Sequence, residues 1–277
     1  MKKSVWLWII AFILTLLTAV YQRMTGPTYP ISGKINIDGK VISYSLDRSH
    51  GGNEDHLIKI KTDEPKISGL LQWKRYKTND EWKTDSLVYN DGALTGLLPH
   101  QPPAGKLMYK ITLVKNEKPF LLNEGNPVVI RFKGDVPAFI IIPHVILMFL
   151  AMLLSTRTGL EFFNNKPNYK KLLYWTLGIL LLGGMIFGPI MQKYAFGEYW
   201  TGFPYGIDLT DNKTLLAVIG WLIALVAFKK SAKPRFWILF ASIFMFIIYL
   251  IPHSVLGSEL DYNEMDRQQN KIEQSIE

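Results

Sequence analysis

The sequence predicts a membrane α-helical bundle of five transmembrane helices joined to an all-β sandwich domain. Three observations predict it. Five runs free of Asp, Glu, Lys and Arg are spaced along the chain. The long segment between the first two switches to period-two alternation, and the basic residues gather in every second connection. The formal charge of +8 and mean hydropathy of +0.11 average over these parts and describe neither. With no cysteine, the chain has no disulfide scaffold, Cys-ligated metal centre, thiol nucleophile or c-type haem attachment.

The first run, Val5–Tyr21, follows Lys2 and Lys3. Its end, Ala19-Val20-Tyr21, lacks the small residues of a cleavage site, so residues 1–22 read as a signal anchor and first helix. Four further spans follow in a transmembrane domain of residues 137–252: 137–155, 172–191, 215–228 and 236–252. The span 137–155 is about 28 Å long at the helical rise, enough to cross the hydrocarbon. The span 215–228 is short, but only seven residues separate it from the last one, as in a helical hairpin. Residues 253–277 read as an acidic outer-side tail, solvated and mobile.

Orientation follows from the short-loop basic residues, which resist translocation. An inside N-terminus puts Lys2, Lys3, Arg157, Lys166, Lys170, Lys171, Lys229, Lys230, Lys233 and Arg235 on the cytoplasmic side against Glu161 alone. The outer segments then carry a slight acidic surplus. The expected location is therefore a multi-pass cell membrane, with the N-terminus cytoplasmic and the β domain and tail on the periplasmic or extracellular side. A basic surplus placed this way gives no motive for nucleic-acid binding.

Residues 23–136 form the exported domain. Alternation is clear in Val41–Leu46, Leu57–Lys61, Leu107–Val114 and Val128–Lys133, with turn signals between them at Asp38-Gly39, Gly51-Gly52, Asn90-Asp91-Gly92 and Asn123-Glu124-Gly125. About seven short strands over some hundred residues fit an antiparallel sandwich. With Trp73 on one central strand and Tyr109 on another, the pattern resembles immunoglobulin and fibronectin type III domains. The absence of a Cys…Trp…Cys signature favours the fibronectin type. The resemblance implies protein–protein contact or a spacer role.

His144 lies inside the second span, and intramembrane ionisable groups commonly mark function. His253 closes the last span, and both histidines follow Ile-Pro. Two imidazoles on facing helices, with Met148 one turn beyond His144, form a ligand set for haem or a transition metal. The loop between the third and fourth spans is aromatic-rich (Tyr194, Phe196, Tyr199, Trp200, Phe203, Tyr205), as an interfacial belt would be. Asp208 and Asp211 suit the start of the next helix, and with Glu259 and Asp261 they make a candidate outer-face cation site. Gly184 and Gly188, and Gly220 and Ala224, give small-xxx-small pairs for helix packing.

No GxSxG, HExxH, Walker A, GxGxxG or EF-hand pattern occurs, and the inner loops are too short for a catalytic domain. The sequence leans away from an enzyme. It reads as an accessory or scaffolding subunit of a cell-envelope complex, with the lipid bilayer and other membrane or envelope proteins as partners. The alternative is a membrane redox or metal/haem-binding protein using His144 and His253.

Overall fold

A computed structural model describes residues 2–276 as two compact units. One holds the chain up to Pro27 together with Val136–Ser258, the other Thr28–Asp135 together with the chain from Glu259 on.

The first unit is helical. Its elements are α1 (Lys2–Thr25), α2 (Ala138–Leu160), α3 (Tyr169–Leu180), a π-helical turn (Leu181–Phe187) running into α4 (Gly188–Phe196), α5 (Leu209–Lys230) and α6 (Pro234–Leu250). By length and apolarity α1, α2, the continuous α3–α4 rod and α5 can each cross a membrane; α6, with 17 residues, is shorter. The short fourth apolar run thus sits in a 22-residue helix whose first turns are polar. Leu173, Leu177 and Leu180 of α3 pack with Trp221 and Ala224 of α5 and Ile238, Ala241 and Met245 of α6. Trp221 is fully buried and donates its indole N–H to Met245 Sδ at 3.1 Å. Gly159 lets α6 approach α2 closely enough for Ser242 Oγ to donate to Ser155 O at 2.8 Å. The outward faces are apolar: Phe139, Ile142, Ile146 and Phe149 of α2 are all exposed. Such faces are what hydrocarbon, not water, solvates.

The second unit is built on ten strands: β1 (Ile31–Ile37), β2 (Lys40–Leu46), β3 (Ser49–Gly51), β4 (His56–Lys61), β5 (Ser68–Arg75), β6 (Lys83–Asn90), β7 (Ala93–Leu98), β8 (Lys106–Lys115), β9 (Lys118–Leu121) and β10 (Val128–Lys133). β1 and β2 form a hairpin across Asp38-Gly39, both at positive φ, as the tight turns that join twisted strands require. The others make one curling eight-stranded sheet in the order β3-β10-β8-β5-β6-β7-β4, with β9 paired to β8. β3 and β10 run parallel and the remaining pairs antiparallel. Trp73 of β5 stands directly opposite Tyr109 of β8, whose buried hydroxyl donates to Asp47 O at 2.9 Å. The domain is therefore a mixed, nearly closed sheet with more strands than the seven expected. Alternation locates strands but not their partners, and β3 and β9 are too short to carry a period.

The chain after Glu259 is ordered on this unit rather than a mobile tail. It forms α7 (Tyr262–Ile276). Tyr262 is buried, its hydroxyl donating to Gln101 Oε1 at 2.9 Å, and Leu260 N donates to Ala104 O at 3.1 Å. Arg75 grips both Asp266 oxygens at 2.8 Å and Asp80 at 2.7 and 3.1 Å. These bonds hold both carboxyls below the usual carboxylate range.

Candidate functional site

The aromatic loop and the start of α5 form a dense polar cluster in the helical unit. α4 ends on Gly197, whose left-handed φ of 88° ends the helix with no side-chain clash. The loop returns to Asp208, the N-cap of α5, whose Oδ1 accepts from Thr210 N at 2.8 Å. Asp208 Oδ2 accepts from Ser258 N at 2.7 Å and Ser258 Oγ at 2.8 Å. One turn on, Asp211 Oδ2 accepts from Thr201 N at 2.7 Å, Gly202 N at 3.0 Å and Gln192 Nε2 at 3.0 Å. Asn212 Oδ1 accepts from Phe203 N at 2.7 Å. Only a glycine fits at 202, because a Cβ there would lie 2.6 Å from Asp211 Cβ.

Both aspartates are buried. Burial raises the Asp208 carboxyl, but its bonds from Ser258 and Thr210 outweigh that and hold it below the usual range, so it is ionised. The two carboxylates work as clasps, tying loop backbone to a helix start and to the segment after α6. Above them the loop's large side chains face outward: Tyr199 is 58%, Phe203 69%, Tyr205 83% and Ile207 81% exposed.

Beside the clasps, Lys213 is buried and donates to Ile251 O at 2.7 Å. Gln22 of α1 donates to Tyr249 O and to Ile251 O. Both satisfy carbonyls at the C-terminal end of α6, where a cation is also favoured by the helix dipole.

The ligand residues read from the sequence each have neighbours in the protein. His144 Nδ1 lies 3.0 Å from Gly183 O in the π-helical turn, which makes Nδ1 the protonated nitrogen. Met148 Sδ lies 3.9 Å from the Tyr249 hydroxyl. His253 is exposed beyond α6 and interacts electrostatically with Lys213 first, then with His144 and Asp208. Asp208 and Asp211 do come together, but Asp208 is bonded to Thr210 and Ser258 and Asp211 to the loop and Gln192. Glu259 and Asp261 belong to the other unit: Glu259 is paired with Lys106 at 2.7 Å and Lys77 at 2.9 Å, and Asp261 Oδ1 caps α7. Among the described residues no three His, Asp or Glu side chains gather as a metal-holding group.

The small residues sit at close helix contacts. A Cβ at Gly184 would meet Thr214 of α5 at 2.7 Å, and one at Gly220 would meet Phe244 of α6 at 3.0 Å. Gly188 lies near the His144 ring, and Ala224 is fully buried. Sequence reading missed Thr201, Ser258, Gln192 and Gln22, whose partners are distant in the chain and leave no local signal. Lys213 did leave one, a charge one turn inside an apolar helix.

Comparison with protein-family models, with curated proteins and with solved structures finds no match for this chain.

Proposed function

We propose that this protein is an integral membrane accessory or scaffolding subunit of a cell-envelope complex, which presents its aromatic loop and β domain to a partner protein. One observation carries the reading: Tyr199, Phe203, Tyr205 and Ile207 are exposed on a loop fixed by two buried carboxylates. Aromatic anchors that are already ordered bind without a large entropic cost, and such residues dominate protein interfaces. On the β domain, the exposed pair Leu57 and Leu97, directly opposed on β4 and β7, offers a second apolar contact. In this reading the first helix is a signal anchor, the N-terminus is cytoplasmic, and the β domain and α7 lie on the outer side, where the domain serves as an immunoglobulin- or fibronectin-type module would.

The test is mild-detergent extraction of tagged full-length protein from native membranes. A stoichiometric partner is expected to co-purify with the natural protein and to fall at least about tenfold with Phe203→Ala/Tyr205→Ala, a loss on the scale of one interface hot spot. A monodisperse species with no partner refutes the proposal.

A further inference from the structure

A second polar site lies at the ends of α1 and α2 away from the β insertion, around a buried ion pair. Arg157 and Glu161, one helical turn apart at the end of α2, have side chains only 3% and 1% exposed, with Nη1 and Oε1 2.5 Å apart. Glu161 Oε2 is taken by Asn164 Nδ2 at 3.0 Å and Asn168 N at 2.8 Å. Arg157 Nη2 donates to Ser4 Oγ at 3.2 Å, and its guanidinium lies 5.2 Å from the Trp8 ring. Arg157 Nε is buried and has no hydrogen-bond partner, a rare state for a charged donor.

These side chains line a cleft of about 660 Å³ that also takes in the exposed Lys3, Lys166 and Lys171. Four cations thus face one carboxylate, and that carboxylate is already spent. α3 begins in the same cleft: Asn168 makes no side-chain cap bond and the first turn holds no acidic residue. Glu161, through Asn168 N, is the one carboxylate at the positive end of that helix. The charge in surplus is all positive, with neutral asparagine amides beside it, which selects a compact anion with several acceptor oxygens.

We propose that this cleft binds the phosphate of an anionic phospholipid headgroup, held by the exposed Lys166 and Lys171 over the buried Arg157. Phosphate matches the surplus in charge and in acceptor number. A lipid is its source because the cleft lies at the ends of membrane-length helices beside the exposed Trp8, at the level where headgroups sit.

The test follows the unfolding midpoint of full-length protein in neutral detergent on adding short-chain phosphatidylglycerol, phosphatidylcholine or inorganic phosphate. Phosphatidylglycerol raises the midpoint and phosphatidylcholine does not. Lys166→Gln/Lys171→Gln, both on the exposed rim, weakens the apparent affinity about 25-fold, at roughly 5-fold for each lysine removed. Lys229→Gln/Lys230→Gln, equal in charge but outside the cleft, leaves it unchanged. Lys166→Gln alone gives the same reading at about 5-fold should the double variant not fold. A midpoint shift from inorganic phosphate that the same lysines abolish also supports the site and makes its source soluble. Equal response to the two lipids, or equal loss in both lysine pairs, overturns the proposal.

Discussion

Asp211→Ala should loosen the aromatic loop far more than it destabilises the molecule. The substitution strips an acceptor from Thr201 N, Gly202 N and Gln192 Nε2. Each hydrogen bond is worth about 0.5–1.5 kcal/mol net, and a buried donor left unpaired costs about 1–3 kcal/mol. Gly202 N is the buried one; water can reach Thr201 and Gln192, so their contribution shrinks and the net cost is about 3 kcal/mol. If that cost falls on opening of the loop alone, the open population rises about 100-fold. The assay is chymotrypsin cleavage at Tyr199, Phe203 and Tyr205 in detergent, under conditions where opening and closing outpace cutting, so that rate reports the open population. Asp211→Asn, which keeps one acceptor oxygen without the charge, should give an intermediate acceleration. Cleavage of a folded Asp211→Ala protein within about threefold of the natural rate, far below the expected gain, would show that Asp211 is not what orders the loop.

The β unit should lose stability on acidification. Burial, then His50, holds His56 below 6.5, with Asp47 opposing, so the unfolded chain takes up the proton more readily; the contribution is complete above about 6.5 and disappears as pH falls through the depressed value. Hydrogen exchange of β4 and β7 between pH 7.5 and 5 should show this slope, and His56→Gln should flatten it; an unchanged slope would remove His56 as its source. Arg75→Ala should release α7, and since Arg75 and Asp266 are partly exposed the cost is about 1 kcal/mol, or roughly 5-fold faster trypsin cleavage at Arg267 and Lys271. Unaltered cleavage would place the hold on α7 elsewhere, at Tyr262. In a chain without natural cysteines, Lys118→Cys and Gln269→Cys should react with an impermeant maleimide from one side of intact membranes and Ala232→Cys from the other; Gln269→Cys reacting with Ala232→Cys would contradict the topology.

The parts of this fold that were legible in the sequence are those whose cause is local. Val41–Leu46, Leu57–Lys61, Leu107–Val114 and Val128–Lys133 lie in β2, β4, β8 and β10, because alternation is a property of one strand. Asp38-Gly39 and Asp91-Gly92 adopt the positive φ values their residue types allow. The parallel pairing of β3 with β10 joins residues some eighty positions apart and has no local trace. The polar residues of α7 predict a mobile tail, yet its order comes from Tyr262 and from Arg75, which lies 191 positions from Asp266. The second apolar run stopped at Ser155 because Arg157 looked like a loop charge. The helix continues to Leu160, since Glu161, four residues on, neutralises it in place. The cleft has no trace of its own in the sequence, since its lysines belong equally to the basic connection between α2 and α3.

The fold of the β unit also bears on the one helix whose length left its role open. The chain leaves that unit at Asp135 and rejoins it at Glu259, and the return is fixed by the Leu260–Ala104 and Arg75–Asp266 bonds. A chain that leaves one side of a bilayer and comes back to it crosses an even number of times. Between those points lie α2, the α3–α4 rod and α5, three helices of membrane length, so the proposed placement of the β unit on one side of the bilayer requires α6 to cross as well. Its 17 residues span about 25 Å, short of the 30 Å hydrocarbon core. Lys233 and Arg235 at its start can reach outward to the headgroups, and a few ångströms of local thinning cost little. With α1 as a fifth crossing, the proposed topology puts the N-terminal lysines on the side opposite α7. In the proposed topology the basic connections, including Lys229, Lys230, Lys233 and Arg235 at the ends of α5 and α6, fall on that one side, which is the side the positive-inside rule expects for them.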